Sequence, residues 1–234
     1  MKRSSILTIL FFGLILPACA LAEDSGAGEM FKKNFPDRRF ETIVPTPVKG
    51  VYEVYTGNQL YYYAPEGNIL IYGNMVSREG INFTRASYLK KMAPKMAQLP
   101  LDSALKIGSG KNVIVEFMDP DCFHCRESYK FFSRRQDVTV YVFFYPLSQL
   151  SEKKIQHILC APDQLKVYEE VMKGGLDNDK VKLNVCPDKK KDEILKTHKK
   201  FAAQIGIRST PFFYVKGQAI DGFEAPVFEQ LLKN

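Results

Sequence analysis

The feature that most constrains the fold is a pair of cysteines two residues apart, in the segment Cys122-Phe123-His124-Cys125. Residues 113–118 before it are almost all apolar, which is typical of a buried strand. Residues 126–132 after it can form a helix with its aromatic side chains facing inward. The sequence therefore predicts a dithiol at a strand-to-helix junction, with Cys122 at the helix N-terminus and Cys125 one turn inside.

Backbone N–H groups at a helix N-terminus stabilise negative charge, so we expect the Cys122 thiolate to be favoured. A dithiol in this position indicates a redox site, which is the interpretation that we favour.

Half of a zinc site and a structural disulfide are the alternatives. A zinc site needs a second pair of ligands at metal spacing, and the other histidines, His157 and His198, are scattered along the chain. We therefore expect no metal.

Residues 1–22 have the pattern of an export signal. A positively charged start precedes an apolar stretch at 6–16, and Ala20-Leu21-Ala22 fits a cleavage site. The apolar stretch is too short for a membrane-spanning helix, so we expect cleavage after Ala22 and an exported chain. The alternative is a lipoprotein with a lipidated Cys19, although the residues before Cys19 fit that pattern poorly.

Four cysteines remain after removal of residues 1–22, and an even number in an exported chain suggests two pairs. If Cys122 pairs with Cys125, Cys160 is left for Cys186, and that bridge would be structural. Exchange between the two pairs is the alternative, although no activating residues surround Cys160 and Cys186.

Removal of residues 1–22 lowers the formal charge from +7 to +5, because Lys2 and Arg3 are the charged residues of that segment. The remaining excess lies mainly at 189–191 and 196–200. A nucleic-acid patch is one interpretation of these lysines. We prefer a solvated helix face, because acidic residues interrupt the run, and we expect no nucleic-acid partner.

Residues 23–84 are predicted to form a small N-terminal domain. Stretches rich in tyrosine and β-branched residues at 51–55, 59–64 and 69–76 alternate with turns, which is typical of an antiparallel sheet. So short a segment makes a thin core, and we expect a partner to cover one face.

Residues 85–107 are predicted to form a linker helix, which Pro94 would kink and Pro100 would end. Its apolar side chains fall on one helical face: Tyr88, Leu89, Met92, Met96 and Leu99. Gly108-Ser109-Gly110 then marks a break before the next domain.

Residues 108–234 are predicted to form a second domain with alternating strands and helices. The predicted elements are a strand at 111–118, a helix from Cys122, a strand at 138–144, a mainly helical stretch at 151–205, a hairpin of 212–215 and 219–223, and a helix at 226–233. Ser209-Thr210-Pro211 stands directly before the hairpin.

A strand, a C-x-x-C pair and a Thr210-Pro211 pair before a late hairpin resemble the thioredoxin fold, in which the proline is cis and faces the dithiol. Together with the N-terminal strands and Gly73-Asn74-Met75, they make the chain similar to the bacterial periplasmic disulfide isomerase family of the DsbC and DsbG type. The resemblance implies a chain of α+β/α/β class. A thioredoxin-like C-terminal domain with a helical insertion would follow a small antiparallel β dimerisation domain and a linker helix.

The resemblance also implies roles for individual residues. Cys122 and Cys125 would be catalytic, and Thr210-Pro211 would hold the substrate chain beside them. Cys160 and Cys186 fall where this family carries a second, structural disulfide. The redox-active Cys122–Cys125 disulfide would take the place of a cofactor.

Two residues depart from the usual pattern of that family. His124 stands just before the second cysteine, as in the oxidase DsbA, and a partly protonated imidazole there can stabilise the Cys122 thiolate. Glu116 lies six residues before Cys122, where thioredoxin and DsbA carry a buried acid. We favour a buried Glu116 that shuttles the proton of Cys125; an exposed carboxylate at the strand end is the alternative.

These features predict a periplasmic thiol:disulfide interchange enzyme that isomerises or reduces non-native disulfides of exported proteins. The resemblance implies a V-shaped homodimer, misfolded disulfide-containing exported proteins as substrates, and a membrane reductant of the DsbD type. A net thiol oxidase of the DsbA kind and a non-enzymatic holdase chaperone are the alternatives.

Overall fold

The computed structural model describes residues 25–178 and 182–233, and the chain divides into two compact units. The first extends to Tyr72 and the second spans Gly73–Asn234. The predicted export signal at 1–22, with Cys19, lies outside the described residues. Among the described residues, no helix is long and apolar enough to cross a membrane.

The first unit is a four-stranded antiparallel sheet, in the order β1-β2-β3-β4, with one helix. Its elements are α1 (Ser25–Asn34), β1 (Thr42–Pro45), β2 (Tyr52–Thr56), β3 (Gln59–Ala64) and β4 (Ile69–Ile71). The three predicted strands are present, and α1 and β1 are additions that the sequence patterns do not predict.

The core of the first unit is aromatic. The fully buried Phe31 of α1 packs edge-on against Tyr63 of β3, with 5.2 Å between ring centroids, and against Phe40 at 5.3 Å. Ala27 and Val54 are buried in the same cluster. Edge-to-face aromatic pairs add to the stabilisation from buried apolar area, so α1 completes a core that three strands alone would leave thin.

Strand β4 is shorter than the predicted stretch of 69–76, because the chain turns at Gly73. The φ angle there is +151°, which favours glycine. The backbone N–H of Met75 then donates to Thr84 Oγ1 at 2.7 Å, and that of Phe83 to the Met75 carbonyl at 2.9 Å. Residues 73–84 therefore fold back onto the start of the next helix.

The second unit is a five-stranded sheet in the order β5-β7-β6-β8-β9, with helices on both faces. Strands β6 and β7 are parallel and all other pairs are antiparallel. Its elements are α2 (Phe83–Met96), β5 (Leu105–Gly108), β6 (Asn112–Met118), α3 (Phe123–Phe132), β7 (Val138–Phe144), α4 (Gln149–Cys160), α5 (Gln164–Met172), α6 (Lys189–Ile205), β8 (Phe212–Val215), β9 (Gln218–Asp221) and α7 (Ala225–Lys233).

Each face of this sheet has its own core. On one face, side chains of alternate residues of β6 and β7 pack against helices that include α3, α4 and α7. On the other face, Phe117 and Phe143 stack at 5.0 Å and pack with residues of α2 and α6. The predicted apolar face of α2 is part of this second core, with Met92 and Met96 buried.

The prediction of a helix over 85–107 is too long. Helix α2 ends at Met96, and residues 105–108 form the edge strand β5, paired with β7. Leu105 and Ile107 pack on the core while Lys106 between them is exposed. That alternation has the period of a strand, and Pro100 separates it from the helix.

Candidate functional site

The dithiol lies at the junction of β6 and α3. Cys122 is the residue that caps the N-terminus of α3, and its extended backbone (φ −73°, ψ 125°) ends the loop from β6. Cys125 lies in the first turn and is completely buried, whereas Cys122 is half-buried; both are free thiols. Because only Cys122 reaches the surface, it is the sulfur that an external disulfide can contact.

The two thiols have opposite acidities. A hydrogen bond from the Cys125 thiol is the largest influence on Cys122 and, against the cost of burial, lowers the pKa of Cys122 to about 5. Backbone N–H groups of Cys125 and His124 act in the same direction. Cys122 is therefore a thiolate at neutral pH.

Burial raises the pKa of the Cys125 thiol far above its ordinary value, and the neighbouring Cys122 and Glu116 raise it further. The backbone N–H of Asp119, 3.5 Å from Cys125 Sγ, opposes this shift because it favours the charged form. Cys125 therefore keeps its proton until a base removes it.

Glu116 of β6 is buried, with 2% of its surface exposed. Burial raises the pKa of its carboxyl to about 8, although a hydrogen bond from Ser128 opposes the shift. Ser128 Oγ lies 2.6 Å from Glu116 Oε1 and 2.8 Å from the Cys125 carbonyl oxygen. A proton acceptor that titrates near neutral pH thus lies behind the dithiol.

The ring of His124 packs edge-on against Phe123, with 5.4 Å between the ring centroids. His124 acts on Cys122 through its backbone N–H group. Tuning of the thiolate by the imidazole itself stays a prediction.

The loop before β8 faces the dithiol. The peptide bond between Thr210 and Pro211 is cis. The Thr210 carbonyl oxygen lies 3.4 Å from Cys122 Sγ and accepts a hydrogen bond from it when Cys122 is protonated. Within residues 25–178 and 182–233, the buried hydroxyl oxygen of Thr210 has no hydrogen-bond partner. The dithiol and the Thr210-Pro211 pair, 88 residues apart in the chain, are therefore in direct contact.

An ion-pair network that includes Asp121, the residue before Cys122, is not predicted by the sequence. Lys154 of α4 has a side chain that is only 2% exposed, and its Nζ donates to Asp121 Oδ1 at 2.5 Å and Asp177 Oδ1 at 2.7 Å. Arg126 of α3 binds the carboxylate of Asp177 through two nitrogens and donates to the Pro120 carbonyl at 2.8 Å. The network joins the loop before Cys122 to α3, α4 and the segment after α5.

Asp119 fixes the same loop from the other side. It is buried, its Oδ1 accepts from the backbone N–H of Asp121 at 2.6 Å, and its Oδ2 accepts from that of Leu147 at 2.6 Å. The run of acids in Asp119-Pro120-Asp121, directly before the dithiol, is the one sequence signal that could have revealed this support.

The second cysteine pair belongs to the helical insertion. Cys160, at the end of α4, is disulfide-bonded to Cys186, with 5.8 Å between the Cα atoms. The bridge ties α4 to the segment that precedes α6. The lysine run lies on α6, where the exposed Lys196 and the half-exposed Lys199 pair with acids.

Comparison with known proteins places this geometry in a family. The family described as "Thioredoxin-like domain" matches residues 100–234. The chain belongs to this thioredoxin-like family. The family described as "Disulfide bond isomerase protein N-terminal domain" matches residues 18–85.

Relatives with similar sequences carry the name thiol:disulfide interchange protein. The chain is 34% identical over 149 residues to the "Probable thiol:disulfide interchange protein DsbC" of Bordetella avium, covering 62% of this chain and 53% of that protein. It is 26% identical over 193 residues to the "Thiol:disulfide interchange protein DsbC" of Escherichia coli K12, covering 79% and 77%. The chain thus spans about half the length of the Bordetella avium relative.

Among solved structures, the thiol-disulfide exchange protein alpha-DsbA2 from Wolbachia pipientis has a TM-score of 0.50 at 15% identity, over 65% of this chain and 98% of that one. This is a likeness of fold. Together with the family matches, it confirms the predicted class: an N-terminal antiparallel β unit, a helix, and a thioredoxin-like domain with a helical insertion. The resemblance to the DsbC type of protein is likewise confirmed.

Proposed function

We propose that this thioredoxin-like protein catalyses thiol–disulfide exchange and isomerises or reduces non-native disulfides in exported proteins. One observation carries the proposal: the half-buried sulfur of Cys122 lies between the buried thiol of Cys125 and the cis-peptide bond of Thr210-Pro211, and its lowered pKa favours the thiolate. A thiolate is the form that attacks a disulfide. The dithiol is the only redox group that the reaction needs.

In the first step, the Cys122 thiolate attacks one sulfur of a substrate disulfide. A Cys122–substrate disulfide forms, the substrate S–S bond breaks, and the second substrate sulfur leaves as a thiolate. That thiolate can attack a different disulfide of the substrate, which releases another substrate sulfur as a thiolate. A substrate thiolate then attacks the mixed disulfide, forms a new substrate disulfide and releases the Cys122 thiolate. No electrons are gained or lost overall, so the outcome is isomerisation.

If isomerisation stalls, Cys125 resolves the mixed disulfide. Glu116 accepts the Cys125 proton, and the Cys125 thiolate attacks Cys122 Sγ and releases the substrate thiolate. Two electrons pass from the dithiol to the substrate, and a Cys122–Cys125 disulfide remains. The burial of Glu116 and its pKa of about 8 support this role, because the carboxyl can hold or release a proton at physiological pH.

Exposed apolar side chains near the dithiol support a misfolded protein as the substrate. Phe123, between the cysteines, is 68% exposed, and Leu147 and Leu150 are 56% and 51% exposed. Leu147 follows β7, which is parallel to β6, so it lies at the same edge of the sheet as Cys122. Exposed apolar groups next to a reactive sulfur are suited to unfolded chains, which present their own apolar residues.

The first unit supports a homodimer. Strand β4 is an edge of its sheet, and its residues Ile69 and Ile71 are exposed. An exposed apolar edge strand is a template for pairing with another chain, and two-fold pairing is the commonest arrangement. Two copies joined there would present two dithiols to one substrate.

A periplasmic location is supported by the signal pattern at 1–22 and by the Cys160–Cys186 disulfide, since such bridges persist in oxidising compartments. Reduction of a substrate leaves the dithiol oxidised, so sustained activity there requires a thiol reductant. A membrane reductant of the DsbD type would fill this need.

The low pKa of Cys122 favours a second candidate, a net thiol oxidase of the DsbA kind. Stabilisation of the reduced thiolate makes the disulfide form more oxidising. The two functions differ in the redox state that the dithiol has in the cell.

Reactivation of a scrambled multi-disulfide protein by the full chain, with reduced dithiol, tests the proposal. We expect reactivation by the wild type and none by Cys122→Ser. Oxidation of a reduced substrate without repair of scrambled disulfides would favour the oxidase. If Cys122→Ala still prevents aggregation and neither protein reactivates the substrate, a holdase chaperone is the better interpretation.

A further inference from the structure

Residues 147–154, which include the start of α4, have an unusual distribution of polar and apolar side chains. Leu147 and Leu150 are more than half exposed, whereas Ser151 and Lys154 are buried. On a surface helix, leucines ordinarily face the core and a lysine faces the solvent. The arrangement seen here therefore requires polar partners for the buried side chains, and it leaves two leucines on the surface.

The polar partners are two acids in the loop that precedes the dithiol. Asp119 Oδ2 accepts a hydrogen bond from the backbone N–H of Leu147 at 2.6 Å. The carboxylate of Asp121 accepts from Ser151 Oγ at 3.2 Å and from Lys154 Nζ at 2.5 Å. These bonds join the start of α4 to the loop. We call Asp119, Asp121, Ser151 and Lys154 the α4 anchor.

The same loop contacts both cysteines of the dithiol. The Asp119 carbonyl oxygen accepts a hydrogen bond from the backbone N–H of Cys122 at 3.2 Å. The backbone N–H of Asp119 lies 3.5 Å from Cys125 Sγ. The loop is thus bonded to the dithiol on one side and to the start of α4 on the other. Its position fixes Leu147 and Leu150 relative to the reactive sulfur.

Stability alone does not account for the buried lysine. Removing a charged side chain from water is costly, and replacing a buried ion pair by apolar residues of similar volume is often neutral or stabilising. The best-attested use of such a pair is to fix one arrangement of the elements that it joins. In this protein, Lys154 joins α4 to Asp121 in the loop and to Asp177 after α5.

We propose that the α4 anchor holds Leu147 and Leu150 against the dithiol loop, and that Cys122 therefore reacts preferentially with disulfides that have apolar neighbours. The inference deepens the proposed function and rests on it, because it assigns the specificity of the same site. Ser151 and Lys154 are positioning residues, since they act on the substrate only through the two leucines.

The test compares two uncharged disulfides that the reduced full chain can reduce. One is hydroxyethyl disulfide, which has little apolar surface. The other joins two short peptides with blocked ends, each with a leucine on both sides of its cysteine. Acid quenching and chromatography give the second-order rate constant for each substrate. Both substrates react at Cys122, so a general loss of reactivity cancels in the ratio of the two rate constants.

Four single variants are compared with the wild type. Leu150→Ser removes one exposed leucine, and Lys154→Met removes the cation of the anchor while keeping a long side chain. Ser151→Ala is the mildest change, because it removes one hydroxyl. Lys199→Met is the matched control: it breaks a 2.8 Å ion pair between α6 and Glu152 of α4, which involves neither acid of the loop. Thermal unfolding of each variant is recorded alongside.

We expect Leu150→Ser to lower the ratio of peptide to hydroxyethyl disulfide by roughly 5- to 10-fold, the order expected for loss of one partly covered leucine. Lys154→Met should lower it by a similar factor, and Ser151→Ala should lower it by about 2-fold. The double variant of Lys154→Met and Leu150→Ser should show less than the product of the two effects, because both remove the same contact. Lys199→Met should leave the ratio unchanged.

A wild-type ratio in a folded Lys154→Met variant would overturn the proposal. If Lys154→Met does not fold, a wild-type ratio in Ser151→Ala would overturn it instead. An equal fall in Lys199→Met would also overturn it, because the effect would then come from any loosening of α4.

The outcomes for the anchor and for the proposed function are separable. If the wild type prefers the peptide disulfide and the anchor variants lose that preference, the anchor stands even if the wild type reactivates no scrambled protein and the isomerase function fails. If the wild type is an isomerase but has no preference for the peptide disulfide, the anchor proposal fails and the function stands.

Discussion

The sulfur of Cys122 lies 3.4 Å from the carbonyl oxygen of Thr210, so the reactive thiol and the cis-peptide loop form a single surface. A substrate that reaches Cys122 must lie against this loop. Cys125, completely buried behind Cys122, is reached only by a sulfur already bonded to Cys122. The geometry therefore requires that Cys122 reacts with the substrate first and that Cys125 reacts second.

The first prediction concerns the acidity of Cys122. The rate of alkylation of the reduced protein should rise with pH as the Cys122 thiolate forms, with a midpoint near pH 5. The midpoint is low because the hydrogen bond from Cys125 stabilises the negative charge. Mass spectrometry after treatment with limiting alkylator at mildly acidic pH should find the label on Cys122. A label found first on Cys125, or a midpoint near pH 9, would refute the assignment.

The second prediction concerns Glu116 as the base for Cys125. In the wild type, release of a small thiol from a Cys122 mixed disulfide should accelerate as pH rises towards 8, where Glu116 ionises. Glu116→Gln should slow this release by about 100-fold at neutral pH, because no buried base remains. Stopped-flow measurement of the released thiol across pH gives both results.

Ser128→Ala is the matched control, since Ser128 donates to Glu116 and holds its pKa down. The variant should keep the base but move the midpoint of release to higher pH. Equal release rates in the wild type and Glu116→Gln at every pH would remove Glu116 from the mechanism.

The same burial predicts an effect of pH on folding stability. A carboxyl whose pKa is raised by folding stabilises the fold below its ordinary value of 4.5, and this stabilisation is lost as pH rises through about 8. Between these values, the free energy of unfolding of the wild type should therefore fall by up to ~5 kcal/mol relative to Glu116→Gln. Urea unfolding at several pH values measures the difference. Parallel stability curves would mean that Glu116 is not buried in the folded protein.

The Cys160–Cys186 disulfide should be structural. It closes a segment with a sequence separation of 26 residues, so replacing both cysteines by alanine should lower the free energy of unfolding by about 2–4 kcal/mol. Exchange at Cys122 should persist, because the bridge lies outside the contacts of the dithiol. Loss of exchange in a double variant that still folds would show that this pair takes part in electron transfer.

The fifth prediction concerns assembly through β4. Ile71→Lys places a charge on the exposed edge strand and should convert a dimer into a monomer in sedimentation velocity. The monomer should still reduce a small disulfide but reactivate scrambled protein poorly. Thr42→Lys, on the opposite edge strand β1, is the control and should remain dimeric. A wild type that is monomeric and fully active as an isomerase would contradict the dimer.

The features that the sequence predicts well are local ones. The dithiol follows an apolar strand and begins a helix, and both patterns are visible within 113–132. The apolar residues on either side of Glu116 in the sequence are enough to predict that its side chain is buried. The strand β5 was missed because its short alternating pattern follows directly on helix-like residues, and only pairing with β7 makes it a strand.

Local sequence patterns do not predict contacts between residues that are far apart in the chain. Lys154 and Asp177 have no local reason to be near the dithiol, and the fold brings both to Asp121. His198, which looks isolated in the sequence, is fully buried and accepts a hydrogen bond from the Phe144 backbone N–H at 3.0 Å. Burial lowers the pKa of His198 to about 4, so it is neutral and part of the core.

The central claim is that Cys122 is the nucleophile that attacks protein disulfides. Cys125→Ser, incubated with a scrambled multi-disulfide protein, should accumulate a covalent complex because the resolving thiol is absent. Mass spectrometry of the complex should place the bond at Cys122, and thiol reductant should release it. Absence of a complex, or its formation in a Cys122→Ser variant through another cysteine, would contradict the account.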